Sequence, residues 1–590
     1  MTRPWVQALW PLALLIAAVA AGEPALAATP DASGGLAAPQ PLPGDYPALG
    51  WISSRTMVWV LAQLHLFLGA FVLAVPLFVV CIELAGLLGD DPRYDAMAHE
   101  FMSISIAAFS FTALSGGALT FALFLLYPPL MGYLMRVFQG QTLAYALLFM
   151  LEAACLYVYY YSWGALRYGD RKWLHLSLGV LLNAVGLTLM FLANSWSTFM
   201  TAPSGVDASG AVTGSVWQIM RGPLWNPLNL HRFLANIAYG GAIVGAYAAY
   251  RFLSDRSASA RAHYDWMGYT SNLIAVAGFL PLPFAGYWLM AEIYAYSQQM
   301  GITAMGGVLA WLFIVQALLI GTILLAANYY LWCGLGRTER GGRYAPYVKY
   351  IAVVLVAGFL VWVTPHSLIL TAGEVQALGG THHKVLGPLG LMPAKNTAVN
   401  LMLVFTFLSF QMFYRSSREP TAAWAPAGTA VIIALYVAGG LNIVAAGLYG
   451  YITPTVYKVG SSVPQVVSTL SIMLGSALID GAMHRKARRL EVHWGRMPAR
   501  SQYALFVLPV AFTWTMGLMG YIRSSLRTHW HVYAIMKDAS PGAFIPTIGE
   551  AANIVTAVTL IFFGVIVFVF WLTRLSQTRQ PPSRAGEVAT

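Results

Sequence analysis

Long apolar segments separated by short polar loops run along almost the whole chain. An apolar segment of about 20 residues can span the hydrocarbon core of a bilayer as an α-helix. The pattern therefore predicts an all-α fold, a polytopic transmembrane helical bundle with about 13 transmembrane helices that follow a cleaved signal peptide. We place these helices near residues 56–87, 101–127, 142–166, 173–198, 229–253, 268–296, 304–333, 346–369, 397–414, 425–450, 462–483, 502–522 and 552–574.

The composition agrees with a membrane protein. Hydrophobic residues make up 58% of the chain and charged residues 9%, whereas soluble domains carry about 25% charged residues. The net charge of +11 does not indicate nucleic acid binding, because the basic residues lie in short loops between the apolar segments. Lipid is the expected environment, and no nucleic acid partner is expected.

The amino-terminal 28 residues have the pattern of a secretory signal peptide. Arg3 is followed by the apolar stretch 10–21 and by the small residues Ala25-Leu26-Ala27, as at signal cleavage sites. We exclude residues 1–28 from the fold on this basis. The rest divides into an outer-face lead-in (29–52), helices 1–6 (53–300), central helices 7–11 (301–500) with an outer histidine loop (366–395), terminal helices 12–13 (501–575) and a tail (576–590).

Loop charges predict the orientation. Counted on the predicted helices, 22 basic residues fall on one side of the membrane and ten on the other, with Arg3 in the signal peptide. Cytoplasmic loops carry the excess of Lys and Arg. The mature amino terminus is therefore expected in the periplasm, and the carboxyl terminus in the cytoplasm.

The first predicted helix carries one imidazole, His65, within the apolar stretch 54–80. An ionisable group inside a membrane helix is costly and usually functional. We interpret His65 as a cofactor ligand, with a structural hydrogen bond as the alternative. No CxxCH motif occurs, so any haem would be held non-covalently.

The twelve histidines fall into two groups according to the side of the membrane on which they are predicted to lie. Five lie in or beside the inner loops and are predicted to be solvated or to face lipid headgroups: His99, His175, His263, His484 and His493. Seven lie near the outer face: His65, His231, His366, His382, His383, His529 and His531. Imidazole is a common ligand of metals and of haem iron, so the second group favours redox cofactors near the outer surface. Interfacial polar residues with no shared role are the alternative.

Two short motifs point to a known family: Arg55 lies ten residues before His65, and the third predicted helix contains Phe149-Met150-Leu151-Glu152. They resemble subunit I of the cytochrome bd-type quinol oxidases, whose first helix has the same spacing and whose third helix contains FFLE. Further similar stretches are Tyr94 to Gly116-Gly117, 183–203 (NAVGLTLMFLANSWSTFMTAP), Asn226-Pro227 and 520–541 (GYIRSSLRTHWHVYAIMKDASP). The resemblance covers chiefly 50–290 and 500–575. The resemblance implies that residues 53–300 form the haem-binding helices and that residues 301–500 contain further helices beyond the family's pattern.

The resemblance assigns candidate ligands. His65 matches the first-helix axial haem ligand. The family's helix 5 histidine falls on Ala235, and His231 lies one turn earlier on the same helix face, where it is expected to substitute. The methionine partner falls on Met402, and the arginine of GRQPW falls on Arg527.

Departures from the family pattern bear on function. The glutamate four residues before the GRQPW arginine falls on Ser524, and an acidic residue expected at the end of helix 2 falls near Thr120. The quinol-binding loop is reduced to Ala285-Gly286-Tyr287. A full three-haem oxygen-reducing site is therefore not implied.

Other titratable residues are candidates from their positions. His366, His382, His383, His529 and His531 are candidate ligands for copper or another haem, since imidazole suits both. Glu152 lies mid-span, where a charge is costly, and is interpreted as a proton-path or buried hydrogen-bonded group. Glu292 is a second carboxylate within a span, and Glu83 is expected to reach the inner interface.

Together these features predict a haem-containing membrane subunit of a bd-like terminal oxidase in the bacterial inner membrane. It would pass electrons from quinol or a periplasmic donor to oxygen, using haem b, with haem d or a second b-type haem as further candidates. A second membrane subunit is the expected partner. The alternatives are a b-type electron-transfer subunit that does not reduce oxygen, a secondary transporter, which should show internal repeats, and a haem-free scaffold.

Overall fold

The computed structural model describes residues 37–47, 50–305, 309–364, 376, 387–454, 460, 462–541, 543 and 548–578. Its helices, in chain order, are α1 (Ser54–Gly89), α2 (Pro92–Leu126), α3 (Pro128–Val137), α4 (Gln139–Tyr161), α5 (Trp163–Leu166), α6 (Arg171–Thr201), α7 (Val216–Met220), α8 (Trp225–Ser254), α9 (Ala258–Phe279), α10 (Leu282–Tyr296), α11 (Gln298–Met305), α12 (Ala310–Leu335), α13 (Gly341–Tyr344), α14 (Val348–Val363), α15 (Gly387–Gly390), α16 (Met392–Ser416), α17 (Ala425–Ile452), α18 (Ser462–Met483), α19 (Ala499–Leu526) and α20 (Ile548–Thr578).

Thirteen candidate membrane spans lie within the described residues, which confirms the predicted all-α polytopic fold. The second span begins at Pro92 rather than near residue 101, because Asp91 caps it by accepting a hydrogen bond from the Arg93 amide. The sixth span, Ala258–Tyr296, consists of α9 and α10. Pro281 and Pro283, which lack an amide hydrogen, lie at the junction of these two helices and account for the break.

Within the described ranges, four short strands accompany the helices: β1 (Arg418–Glu419), β2 (Arg488–Arg489), β3 (Trp530–Val532) and β4 (Met536–Lys537). β1 pairs with β2 and β3 with β4, both antiparallel. Two 3₁₀-helices complete the described elements, Pro43–Asp45 and Ala345–Tyr347.

The chain divides into two compact units. Unit 1 comprises residues 1–240, 285–302 and 519–590, and unit 2 comprises 241–284 and 303–518. In unit 1, α1 packs along α2 and α6, and α4 packs along α6. The tight turn between α1 and α2 needs Gly86, because a Cβ there would lie 2.8 Å from the Cβ of Tyr94.

Unit 2 contains a group of three helices, α16, α17 and α18, joined by buried polar side chains. Gln465 donates to Thr397 at 2.7 Å, and Thr469 donates to Asn400 at 2.7 Å. Between the polar contacts lies an apolar layer of Val404, Ile443 and Ile472. Interhelical hydrogen bonds of this kind hold membrane helices together, because lipid offers polar groups no partner.

A buried ion pair lies in unit 2 beside the ends of α9 and α12. Arg337 pairs with Asp265, and both side chains are at most 2% exposed. The guanidinium carbon lies 4.5 Å from the centre of the Trp494 ring and 5.4 Å from that of Phe413. Asp265 also accepts a hydrogen bond from the Gly495 amide at 2.8 Å.

Candidate functional site

His65 lies in α1 with its ring held against α2. Its Nδ1 is 3.2 Å from the carbonyl oxygen of Thr112 and 3.3 Å from the hydroxyl of Ser115. A carbonyl only accepts, so Nδ1 carries the proton and donates it. The lone pair of Nε2 is then available to a metal, which is the arrangement found in most ligating histidines.

Gly116 creates the space for this ring. A Cβ at Gly116 would lie 2.7 Å from His65 Cε1, 3.1 Å from Nδ1 and 3.4 Å from Nε2, whereas a Cβ at Gly117 would meet nothing within 4 Å. The first glycine of the pair therefore fixes the position of the imidazole. The pair is part of the stretch that resembled the family in the sequence.

His231 and His65 lie equally far along their helices from a contact between α1 and α8. Spans one and five are expected to cross in the same direction, and α1 contacts α8 where a Cβ on Gly240 would lie 2.6 Å from the Cβ of Ala74. His65 and His231 each precede that contact by nine residues, about 14 Å along a helix. Within the described part of the chain His231 has no hydrogen-bond partner, and its Nε2 faces Gly286.

Three arginines of unit 1 lie close together. Arg523 is within electrostatic range of both Arg232 and Arg527. Arg232 donates to the side-chain oxygen of Asn194, and Arg527 donates to the His531 carbonyl at 2.5 Å. Among the described residues neither Arg232 nor Arg523 forms an ion pair with a carboxylate. The cluster therefore carries positive charge that an anionic group could neutralise.

Glu152 is buried in α4 and is 9% exposed. A Cβ on Gly186 of α6 would lie 3.0 Å from its Oε1 and 3.0 Å from Leu73 of α1, so the carboxyl group lies where three helices meet. Among the described residues it has no hydrogen-bond or ion-pair partner. A carboxyl group in that setting is stable as the neutral acid.

His529 and His531 differ in their surroundings. His529 is exposed. His531 is 5% exposed, and its Nε2 is 2.7 Å from the Tyr46 hydroxyl and 3.4 Å from Asp538. The register of the β3–β4 pair is irregular between Trp530 and Val532. The Nε2 atom of His531 is thus in contact with Tyr46.

The surroundings of His531 predict a pH dependence of stability. Burial, together with the nearby Arg527 and Arg55, lowers its pKa to about 4 despite Asp538. In the unfolded chain the pKa is about 6.5. The neutral ring therefore stabilises the fold above pH 6.5, and this contribution, about 3 kcal/mol in full, is lost as the pH falls from 6.5 towards 4.

We expect the thermal unfolding temperature to fall between pH 7 and pH 5, and to fall less in His531→Gln. Thermal denaturation in detergent at the two pH values measures this. His529→Gln is the matched control and should keep the wild-type pH dependence. An equal pH dependence in wild type and His531→Gln would contradict the assignment.

Met402 belongs to unit 2. It is 0% exposed, and a Cβ on Gly358 would lie 2.7 Å from its Cγ and 3.1 Å from its sulfur. The thioether therefore packs against α14. Its role as a haem ligand stays a prediction.

Three predicted ligands, His366, His382 and His383, lie outside the described residues, as do the signal peptide and the tail beyond residue 578. Within the described ranges no group of three or more His, Cys, Asp or Glu side chains is placed to hold a metal ion. Copper binding by the outer histidines is therefore a prediction that nothing in the described ranges tests.

The prediction that the inner histidines are solvated is wrong for two of them, as is the expectation that Glu83 reaches the interface. His175 and Glu83 are 0% exposed and His484 is 6% exposed. His175 and Glu83 form a polar network with Lys172, Asp95 and Tyr159. One signal was present in the sequence: Lys172 and His175, three residues apart, share a helix face.

A comparison with known protein families agrees with the resemblance. Residues 53–332 match the family described as cytochrome bd terminal oxidase subunit I. A solved structure, that of bd oxidase from Geobacillus thermodenitrificans, is similar at 12% sequence identity with a TM-score of 0.45, over 90% of this chain and 98% of that one. No curated protein matches the chain in sequence.

The family match covers α1 to α8, where His65, Gly116 and Glu152 lie, and continues into α12. The predicted resemblance is thereby confirmed over residues 53–332, and an oxidoreductase family is the general class that this region resembles. We identify the chain as a cytochrome bd oxidase subunit I-like membrane protein.

Proposed function

We propose that the chain is a haem-binding subunit of a bd-like terminal oxidase in the bacterial inner membrane, passing electrons from quinol or a periplasmic donor to oxygen. The observation that carries the proposal is His65, whose Nδ1 is bonded to the Thr112 carbonyl while Nε2 is left to bind a metal. A hydrogen bond from the second ring nitrogen orients an axial ligand and raises its basicity. A bound haem would supply the one-electron redox chemistry.

The other side chains of unit 1 fit such a group. Arg232 and Arg523, which have no carboxylate partner among the described residues, would neutralise the carboxylates of a b-type haem, as would Arg527. Guanidinium groups bind carboxylates through paired hydrogen bonds. His231 lies as far along α8 from the α1–α8 contact as His65 lies along α1, and it is a second candidate ligand.

Glu152 is proposed to hold a proton for the reaction. Oxygen reduction consumes protons, and a buried carboxyl group without an ion partner can carry one in the neutral form. Glu152 lies where α1, α4 and α6 meet, and α1 is the helix that bears His65. Arg527 is proposed to position and stabilise negative charge in the site.

A second candidate is electron transfer without oxygen reduction. Two positions at which the family carries acidic residues are hydroxyls here: Ser524 lies 3.5 Å from Arg527 Nη2, and Thr120 donates to the Gly116 carbonyl. With fewer carboxylate ligands, fewer haems are expected. A second membrane subunit is the proposed partner in either case.

The experiment is a reduced-minus-oxidised optical spectrum of the purified protein, followed by oxygen uptake with a quinol. We expect b-type haem bands, and oxygen uptake if the chain acts as an oxidase. Haem bands without oxygen uptake, in a preparation that retains its partner subunit, would support the second candidate. A spectrum without haem bands would reject both.

A further inference from the structure

The polar network at the predicted inner end of unit 1 surrounds Glu83 of α1. His175 Nδ1 lies 2.5 Å from Glu83 Oε1, and the Tyr159 hydroxyl donates to Oε2 at 2.5 Å. Lys172 Nζ pairs with Oε1 as well. Glu83 and His175 are both 0% exposed, so the contacts are shielded from solvent.

The hydrogen bonds of His175 require a second proton. Its Nε2 lies 2.9 Å from the carbonyl oxygen of Tyr159, which can only accept, so Nε2 donates. Nδ1 faces the carboxyl oxygen of Glu83. A neutral imidazole beside an ionised carboxylate would place two acceptors against each other, so one proton lies between His175 and Glu83.

The pair is connected to the protein surface. Lys172 Nζ also contacts Asp95, which accepts from Trp163 at 3.2 Å and pairs with Arg167 Nε at 2.9 Å. The Arg167 side chain is 32% exposed, whereas that of Lys172 is 5% exposed. His99 also faces the network, with its ring centre 5.1 Å from that of Trp163, and the buried Glu100 lies within electrostatic range of His99.

Charged groups of both signs surround the shared proton. Glu83 and Asp95 carry two negative charges, and Lys172 and Arg167 carry two positive charges. The proton between Glu83 and His175 is therefore held among neighbours that can accept and donate hydrogen bonds.

The same helices connect this pair with Glu152. Tyr159 and Glu152 are seven residues apart on α4, so they share a face, about 10 Å apart. On α6, Gly179 and Gly186 lie opposite them in matching register. A Cβ on Gly179 would lie 2.9 Å from the Tyr159 ring, and one on Gly186 would lie 3.0 Å from Glu152 Oε1.

We propose that Glu83 and His175 form a proton-loading site on the inner side that supplies Glu152. The proton is taken from inner-side water through the Arg167 end of the network, is held between His175 Nδ1 and Glu83 Oε1, and is passed along the face of α4. The distance to Glu152 corresponds to about three hydrogen-bond lengths. Only N–H and O–H bonds form and break. The inference rests on the proposed function, because only a reaction that consumes protons, such as oxygen reduction, would take one from Glu152.

The test measures proton uptake on reduction, with a pH-indicator dye in weakly buffered detergent solution, and records the haem spectrum of the same sample. We expect Glu83→Gln to slow uptake at least tenfold while the haem spectrum is unchanged. Tyr159→Phe, which keeps the ring packing and removes the hydroxyl that donates to Glu83, should slow it severalfold. Glu292→Gln, whose carboxyl accepts from Trp288 on the same helix, is the matched control and should match wild type.

The outcomes separate the two claims. Wild-type uptake in Glu83→Gln and Tyr159→Phe, with haem present, would overturn the proton-loading site and leave the haem assignment standing. If Glu83→Gln does not fold, Tyr159→Phe decides in the same way. A wild-type spectrum without haem bands would overturn the proposed function and this inference together.

Discussion

Gly116→Ala is expected to lower the affinity of the protein for haem about 10- to 100-fold, as loss of the support of a metal ligand does. The added Cβ would lie 2.7 Å from Cε1 of His65, which is closer than atoms pack, so the ring must move. Its movement also breaks the Nδ1 bond to the Thr112 carbonyl. Metal–nitrogen bonds tolerate displacements of only a few tenths of an ångström.

Gly117→Ala is the matched control, because its Cβ would meet nothing within 4 Å. The measurement is haem content per protein after purification, together with the reduced-minus-oxidised spectrum. His65→Ala sets the value for complete loss of the ligand. Equal haem content in Gly116→Ala and Gly117→Ala would show that His65 does not bind the haem.

Asp265→Ala is expected to reduce the free energy of unfolding by about 3–5 kcal/mol, because it leaves a buried charge without its partner. Arg337 is 3% exposed, and among the described residues its Nε and Nη2 have no hydrogen-bond acceptor. The rings of Trp494 and Phe413 do not replace the carboxylate, since a cation–π contact contributes about 0.5–2 kcal/mol and neither ring accepts the hydrogen bonds of the guanidinium group.

The control is Glu419→Ala, which removes the partner of Arg340 in a pair whose side chains are 33% and 35% exposed. Exposed pairs contribute about 0–1 kcal/mol, so this variant should unfold almost as wild type does. Unfolding in detergent by increasing SDS, followed by tryptophan fluorescence, compares the two. Equal destabilisation by both substitutions would contradict the buried pairing.

The number of spans could be predicted because lipid imposes a length and an apolar composition on each helix separately. His65 could be singled out for the same reason, as an imidazole in an otherwise apolar stretch. The predicted start of α2, near residue 101, is nine residues later than the observed start at Pro92, because Asp95 and Glu100 are typical of a loop. Both are buried in the fold, at 9% and 8% exposure.

The buried network could not be predicted because its members come from four helices. Glu83 alone reads as a carboxylate near a helix end, and His175 alone as a residue near a basic loop. Only the packing of α1, α4 and α6 brings Glu83, Tyr159 and His175 within 2.5–2.9 Å of one another. Local composition gives the depth of a residue in the membrane, but not its partners across helices.

The pairing of β1 with β2 in unit 2 determines how the segment between these strands is connected to the rest of the chain. Arg418 pairs with Arg489 and Glu419 with Arg488, so the segment that contains α17 and α18 leaves and rejoins the chain at one point, about 5 Å wide. That is the geometry of an inserted cassette, whose removal needs almost no linker. Yet α18 supplies the partners of Asn400 and of Arg415 in α16. Deleting the segment between the two strands would therefore leave Asn400 and Arg415 without these partners.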